Sequence, residues 1–147
     1  MKRLVITLTL AFSLCSFSSF ANDETISPAA IESFNNSFKS VKDVSWSIGE
    51  NFYKATFLMN GQSVCAFYNS QGQMIALTRN ISSLQLPIAL QAKLKKEYND
   101  YWISDLFEMA TEEGTFYYLT VEDGDSKIVL KSGTGSEWSV YKKQRKS

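Results

Sequence analysis

The sequence contains no histidine among its 147 residues. Histidine is the commonest general base in hydrolytic enzymes and the commonest protein ligand of zinc and iron. Its absence therefore excludes Ser-His-Asp and Cys-His catalysis and removes the usual ligand of those metal sites. These gaps in the chemistry favour a binding protein over an enzyme.

Cysteine is also scarce, with only Cys15 and Cys65 in the chain. A bacterial lipoprotein would need a small residue directly before its lipidated cysteine, and Leu14 stands before Cys15, so lipidation is the less favoured alternative. If the N-terminal segment is removed, Cys65 alone remains and no intramolecular disulfide can form. Cys65 falls in the middle of an apolar strand pattern, which favours an inert structural residue over a reactive thiol.

The only long apolar run is at the N-terminus, over residues 4–15. Lys2 and Arg3 precede it, and Ser19 and Ala21 supply small residues at the −3 and −1 positions of a cleavage site. This pattern predicts a secretory signal peptide over residues 1–21, cleaved after Ala21. The run is too short to span a membrane comfortably, and no other stretch could do so, so we expect no transmembrane segment and a periplasmic or secreted location.

Neither sign of charge dominates, because 15 basic residues face 15 acidic ones. Removal of Lys2 and Arg3 with the signal peptide leaves a slightly acidic mature chain, and nucleic-acid readers are usually basic, so we expect no nucleic-acid partner. The remaining basic residues are concentrated near the C-terminus, at Lys142, Lys143, Arg145 and Lys146. We interpret this tail as a frayed, solubilising end, with contact to anionic lipid or a partner as the alternative.

Residues 51–77 carry the strongest structural signal. Asn60-Gly61 predicts a type I′ hairpin turn, since both residues tolerate a positive φ. The turn sets a register that pairs Tyr53 with Tyr68 and Phe57 with Val64. One face, predicted to be buried, then carries Tyr53, Ala55, Phe57, Val64, Ala66 and Tyr68, and the opposite face carries Lys54, Thr56, Cys65 and Phe67.

Two helices are predicted, each beginning at a proline. Ser27-Pro28 starts the first, with an apolar stripe at Ile31, Phe34 and Phe38, and Leu86-Pro87 starts the second, with its stripe at Leu90, Leu94 and Tyr98. Besides the central hairpin, strands are predicted over residues 44–48, 73–80, 101–110, 115–122, 126–131 and 137–142.

The predicted order is one helix and four strands, twice. Phe52-Tyr53 and Thr56 align without gaps with Phe116-Tyr117 and Thr120, which suggests an internal repeat over residues of about 27–80 and 84–142. The expected fold class is α+β: two tandem helix-plus-four-strand repeats form one antiparallel sheet, with both helices on a single face. Residues 22–147 would then be a single domain, and the sheet face without helices is called the open face below.

Several short motifs together resemble a known family. They are Val44-x-Trp46, Phe67-Tyr68-Asn69 followed by Gly72, and the Leu86-Pro87 helix start. The chain resembles the β-lactamase-inhibitor-like, PepSY-like secreted proteins of Bacteroidetes over residues of about 34–141. The resemblance implies an exported protein of two helix-plus-sheet units with no established enzyme activity, named for a fold shared with an inhibitor that lays its sheet and loops on an enzyme. It transfers no catalytic or binding residue to this chain.

Acidic residues cluster at two hairpin ends, at Glu112 and Glu113 and at Glu122, Asp123 and Asp125. Their position beside glycine favours turn formation over a carboxylate pair held across a pocket. A calcium loop that began at Asp123 would need glutamate where Thr134 stands, and residues 133–135 lack the third glycine of a phosphate cradle. We therefore assign no catalytic residues, no cofactor and no metal site.

The open face is the remaining candidate site. The hairpin register and the repeat place on it Lys54, Thr56, Phe67, Tyr118, Thr120, Val129 and Tyr141. Aromatic side chains next to Lys and Thr on an open sheet are suited to a flat protein-binding surface, although cross-strand aromatic pairs also stabilise ordinary solvated sheets.

Three functional hypotheses follow from the sequence. The first is an exported, non-enzymatic, inhibitor-like or regulatory module that binds another periplasmic or cell-envelope protein through the open face. The second is a binder of a small ligand or an envelope carbohydrate, or a weak carboxylate-based hydrolase, with a cleft between the two repeats. The third is a structural role without a dedicated partner.

Overall fold

The computed structural model describes residues 25–133 and 136–147. The predicted signal peptide, its cleavage site, Cys15 and Thr134 lie outside these residues. Within them, no helix is long and apolar enough to cross a membrane.

Within the described residues, eight strands form one sheet in which every neighbouring pair is antiparallel and the spatial order follows the sequence. The helices are α1 (Pro28–Ser37) and α2 (Ile88–Glu97), and a short 3₁₀ helix spans Ser83–Gln85. The strands are β1 (Val44–Ile48), β2 (Tyr53–Met59), β3 (Gln62–Tyr68), β4 (Met74–Asn80), β5 (Trp102–Thr111), β6 (Gly114–Glu122), β7 (Ser126–Ser132) and β8 (Ser139–Arg145).

The central hairpin has the predicted register. Asn60 and Gly61 adopt φ values of 52° and 77°, as a type I′ turn requires. Tyr53 pairs with Tyr68 and Phe57 with Val64. A two-residue turn fixes the register of β2 against β3, so the local sequence alone determines which side chains share the inward face.

Helix α1 begins at Pro28 as predicted, but two details differ. The Ser27 hydroxyl does not cap the helix and instead donates to the Ser70 carbonyl oxygen at 3.1 Å, which ties the helix start to the β3–β4 turn. Ile31 is 37% exposed, and Ala30 is fully buried in its place beside Phe34. The helix is rotated so that a small residue lies against the sheet, which allows closer approach.

Helix α2 begins at Ile88, one residue later than predicted, with Pro87 at the N-cap position. The 3₁₀ helix before it was not predicted. It is held by a capping box, in which the Gln85 side chain accepts the backbone N–H of Ser82 at 2.9 Å. Short 3₁₀ turns carry little apolar periodicity, which is why the sequence pattern missed this one.

Both helices lie on the same face of the sheet, as predicted. In the ladder, Leu77 of β4 is paired with Ala66 of β3 on one side and with Ala110 of β5 on the other. This row connects the cluster under α1 with the cluster under α2. The first cluster contains Ala30, Phe34, Ala55, Phe57, Val64, Ala66 and Tyr68, and the second contains Ile81, Leu86, Leu90, Leu106, Leu119, Val121, Ile128 and Leu130.

The fold is therefore α+β, with one eight-stranded antiparallel sheet covered by helices on one side. The inward positions predicted from the first hairpin and from its proposed second copy all lie on the helix-bearing face. The descent of the two halves from one repeated unit stays a prediction.

The basic tail is a strand, and the interpretation of it as a frayed end is wrong. β8 pairs with β7 as far as Arg145, and the backbone N–H of Lys146 donates to the Asp125 carbonyl oxygen at 2.8 Å. The prediction that the strand ends at residue 142 failed because lysine and arginine lower β-propensity. An edge strand tolerates these residues, and they protect its free edge from pairing with another chain.

Candidate functional site

The strand registers bring the predicted residues together on the open face. Lys54 lies opposite Phe67, and Thr56 opposite Cys65. In the second half, Tyr118 lies between Phe107 and Lys131, and Thr120 is paired with Val129. All of these side chains point away from the helices because they alternate with the buried inward positions.

An apolar cluster is centred on this face although no described helix lies over it. Ala76, Met109 and Tyr118 are 3%, 6% and 7% exposed. The Phe107 ring stacks on the Tyr118 ring at 5.1 Å with an interplanar angle of 10°, and the Tyr141 ring meets Tyr118 edge-on at 5.7 Å. Neighbouring side chains, rather than another layer of secondary structure, bury the centre of the cluster. They include Phe67, Phe107, Phe116 and Val129.

The predicted site residues differ in accessibility. Tyr118 and Thr120 are buried, with Thr120 8% exposed, so they form the floor of the surface. Tyr141 is 41% exposed, and Lys54, Thr56 and Phe67 are half-buried. Tyr141 and Phe67 are therefore the aromatic side chains from the prediction that another molecule can reach.

Sequence reasoning missed several members of the cluster: Phe52, Phe107, Met109 and Phe116. The Phe52 ring packs edge-on against Phe67 at 5.4 Å and extends the aromatic surface to the β1–β2 turn. Phe107 and Met109 alternate with Leu106 and Glu108 along β5. Pairing β5 with β6 in the sequence would have placed both beside Phe116 and Tyr118.

Lysines flank the aromatic surface. The Lys131 ammonium lies 4.7 Å from the Phe116 ring centre and 5.5 Å from that of Tyr118. Within residues 25–133 and 136–147, no carboxylate pairs with Lys54, Lys131 or Lys142. The open face thus combines accessible rings with cations whose charge is available to another molecule.

Cys65 is half-buried on this face, as the strand pattern indicates. Its sulfur lies 3.5 Å from the Thr56 hydroxyl oxygen. The interpretation of Cys65 as an inert structural residue stays a prediction.

The acidic hairpin end between β6 and β7 forms a turn, as predicted. Asp123 accepts the backbone N–H groups of Asp125 and Ser126 at 2.9 and 2.6 Å, and these hydrogen bonds, led by that of Asp125, lower the pKa of its carboxyl. Elsewhere, Glu112 and Glu113 are exposed at the β5–β6 hairpin. In the part of the chain that the structure describes, no three Cys, Asp or Glu side chains meet as metal ligands would.

Beside this turn, Lys146 is held in a small polar site. Its ammonium donates to the Asp123 carbonyl oxygen at 2.7 Å, pairs with Glu122 at 2.8 Å and lies 4.5 Å from the Trp102 ring centre. Glu122 also pairs with Lys127 at 3.5 Å. The hydrogen bond from Lys146, followed by one from Ser104, lowers the pKa of Glu122 from 4.5 to about 2.

This site predicts an acid-dependent loss of stability. Because folding lowers the pKa of Glu122, its contribution is complete above pH 4.5 and is lost as pH falls towards 2. We expect Glu122→Gln to lower the thermal unfolding midpoint at pH 7, and the gap to the wild type to narrow at pH 3. Glu112→Gln is the matched control. Equal gaps at both pH values would show that the loss of stability does not come from the charge of Glu122.

Two surface pockets are lined wholly by residues of the first half. One, of about 550 Å³, is a shallow depression by the β1–β2 edge, lined in part by Lys42, Thr56 and Leu58. The other, of about 390 Å³, lies at the end of the sheet between the β1–β2 turn and the β3–β4 turn. Neither is a cleft between the two halves, which is where the ligand-binding hypothesis placed its site.

The fold and the open face define a class: a single antiparallel sheet with helices on one side and an aromatic surface on the other. Solved structures with a similar fold include several from Bacteroides. A DUF2874 family protein from Bacteroides ovatus matches with a TM-score of 0.72 at 17% identity, over 83% of this chain and 89% of that one. A BLIP-like protein from Bacteroides fragilis matches with a TM-score of 0.68 at 17% identity, over 83% and 87%.

A candidate periplasmic protein from Bacteroides eggerthii has the same fold, with a TM-score of 0.71 at 15% identity over 86% of this chain and 90% of that one. No protein-family model and no curated protein matches the sequence. The resemblance to β-lactamase-inhibitor-like proteins of Bacteroidetes is thus confirmed for the fold. The PepSY-like part of it stays a prediction.

Proposed function

We propose that this chain is an exported, non-enzymatic module that binds another periplasmic or cell-envelope protein through its open face. One observation carries the proposal: an aromatic cluster with available lysines lies on the one sheet face that no described helix covers. Phe67 is half-buried and Tyr141 is 41% exposed, so aromatic rings on this face are within reach of a partner.

The composition of the face suits protein recognition. Aromatic side chains supply contact area at low entropic cost, and they are enriched among the residues that dominate binding energy. Phe67 is preorganised by its packing against Phe52, and the buried floor of Tyr118 and Thr120 holds the strands beneath in place. Lysines at the margin of the face would orient the partner and raise the association rate more than they would raise the affinity.

The neighbours in the comparison support the class and the location. One is described as BLIP-like, and another is described as a candidate periplasmic protein. We extend both properties to this chain as part of the proposal, together with a signal peptide over residues 1–21 and a single PepSY-like domain over residues 22–147.

A pull-down from periplasmic extract tests the proposed face. We expect the mature protein to enrich a defined set of proteins. The double variant Phe67→Ala, Tyr141→Ala should bind them about thirtyfold more weakly or worse, since loss of aromatic anchors costs about 2 kcal/mol or more. Tyr118 is left intact because it is buried, and its truncation would disturb the sheet itself.

The matched control removes equally apolar side chains from the other side of the molecule. Leu84 and Ile88 are 83% and 84% exposed, on the segment that leads into α2. Leu84→Ala, Ile88→Ala should recover the same proteins as the wild type. If the two double variants lose partners equally, or if neither loses any, the open face is not the binding surface.

A further inference from the structure

We infer a second binding site, in the pocket at the end of the sheet, and we assign it to a neutral saccharide. The pocket has a volume of about 390 Å³, which is within the range of small-molecule sites. It is lined by the β1–β2 turn, by Asn69 and Ser70 of the β3–β4 turn, and by Thr25 before α1.

Both turns that frame the pocket are held rigidly. In the β3–β4 turn, the Asn69 carboxamide oxygen accepts the backbone N–H groups of Gln71 and Gln73 at 3.0 and 2.9 Å, and its nitrogen donates to the Gln73 side chain at 2.7 Å. The Ser27 hydroxyl ties this turn to the start of α1. A pocket whose walls are already ordered loses little entropy when a ligand binds.

The opposite wall is also preorganised. The Gly49 N–H donates to the Phe52 carbonyl oxygen at 2.8 Å, and the Phe52 ring lies directly against Gly49, in space that a side chain at this position would fill. The other edge of the ring is fixed by Phe67. The half-buried Tyr53 also lines the pocket, on the opposite side of the strand from the Phe52 ring, and supplies an aromatic surface.

Polar groups at the rim are unused. Among the described residues, no hydrogen bond or ion pair engages the carboxylate of Glu50 or the carboxamide of Asn51, and both residues are exposed. A carboxylate accepts hydrogen bonds at both of its oxygens, and a carboxamide both donates and accepts. Together they match the paired hydroxyl groups of a sugar, whose apolar C–H face packs on an aromatic ring.

The charge of the lining narrows the ligand class. Glu50 is the only ionisable group among the lining residues apart from the Tyr53 phenol, and no cation lines the pocket. An anionic ligand would meet an uncompensated carboxylate, and an apolar one would leave the rim groups without partners. Neutral polar and cationic ligands avoid both costs, and the donor and acceptor groups of Asn51 together with the Tyr53 ring favour a neutral mono- or disaccharide.

Titration of the ¹⁵N-labelled mature protein with methyl glucoside, methyl N-acetylglucosaminide and glucuronate tests the assignment. We expect at least one neutral sugar to give saturable amide shifts at Gly49, Phe52 and Asn69, with a Kd of about 1–10 mM. Glucuronate should bind about tenfold more weakly. Asn51→Ala should weaken the neutral sugar about tenfold, whereas Glu50→Gln should bring the affinities for glucuronate and the neutral sugar closer together.

Glu112→Gln, which removes a carboxylate from another turn at the same end of the sheet, should bind sugar as the wild type does. The assignment is overturned if no neutral sugar gives saturable shifts at about 100 mM, if shifts arise only on the open face, or if glucuronate binds as tightly as the neutral sugars. Neither Phe67 nor Tyr141 is altered in this experiment, so a negative result for the pocket does not contradict the protein-binding proposal. A negative pull-down likewise does not contradict the assignment of the pocket.

Discussion

Replacement of Phe34 by alanine is expected to destabilise the protein by about 3–5 kcal/mol, the usual loss for a fully buried aromatic side chain. Phe34 is 1% exposed, and its ring contacts Phe38, Trp46 and Phe57 at centroid distances of 5.1, 5.5 and 5.1 Å. It is the main side chain through which α1 is attached to the sheet, so truncation leaves a cavity that the surrounding rings cannot fill.

Urea denaturation followed by far-UV circular dichroism measures this loss. Ile31→Ala is the matched control, because Ile31 lies on the same helix and is 37% exposed, so we expect a change of about 1 kcal/mol or less. Similar losses in the two variants would mean that α1 packs on the sheet in a different rotation from the one described here.

Gly72→Ala is the second substitution with a large expected effect, a destabilisation of about 3 kcal/mol or more. Gly72 has a φ of 81°, and a side-chain carbon there would lie 2.5 Å from the Ala29 carbonyl oxygen in α1. The loss of stability has two sources. The left-handed backbone conformation costs alanine about 1–2 kcal/mol. The added carbon also displaces α1, which cannot move without disturbing its packing.

Gly61→Ala separates these two contributions. Gly61 has a similar φ of 77°, but no atom lies within 4 Å of the added carbon, so only the backbone penalty of about 1–2 kcal/mol applies. Thermal unfolding of the two variants should therefore give clearly different midpoints. If Gly61→Ala is as destabilising as Gly72→Ala, the contact between α1 and the β3–β4 turn does not constrain Gly72.

Local sequence rules were sufficient where one short-range interaction decides the outcome. Asn60-Gly61 determined both the turn type and the register of β2 and β3, and Pro28 determined where α1 begins. The inward positions of both halves followed from the two-residue alternation of strands. The α+β class and the shared face of the two helices could be predicted for this reason.

The same rules failed where distant residues compete. Ile31 was expected in the core, but the rotation of α1 buries Ala30 instead, because close approach to the sheet favours the smaller residue. Residues 143–145 resemble a disordered basic tail, yet they form the end of β8, since pairing with β7 and the contacts of Lys146 with Glu122 and Asp123 hold them.

The candidate site shows the same division. Phe67, Tyr118 and Tyr141 could be assigned to the open face from register and the proposed repeat. The different exposures of these three side chains could not be predicted, because burial on a face without helices depends on neighbours from other strands. Phe107 and Phe116 were missed because the β5–β6 register was not worked out from the sequence. The pocket beside Gly49 could not be predicted, because its walls come from turns about twenty residues apart in the chain.

The sequence by itself determined the turns, the alternation of inward and outward side chains, and the absence of histidine chemistry, since each depends on residue type or on neighbours a few positions away. Only the tertiary structure decided which outward side chains are accessible, that the basic end is an anchored strand, and that two turns enclose a pocket. These properties arise from contacts between segments far apart in the chain, which periodicity does not encode.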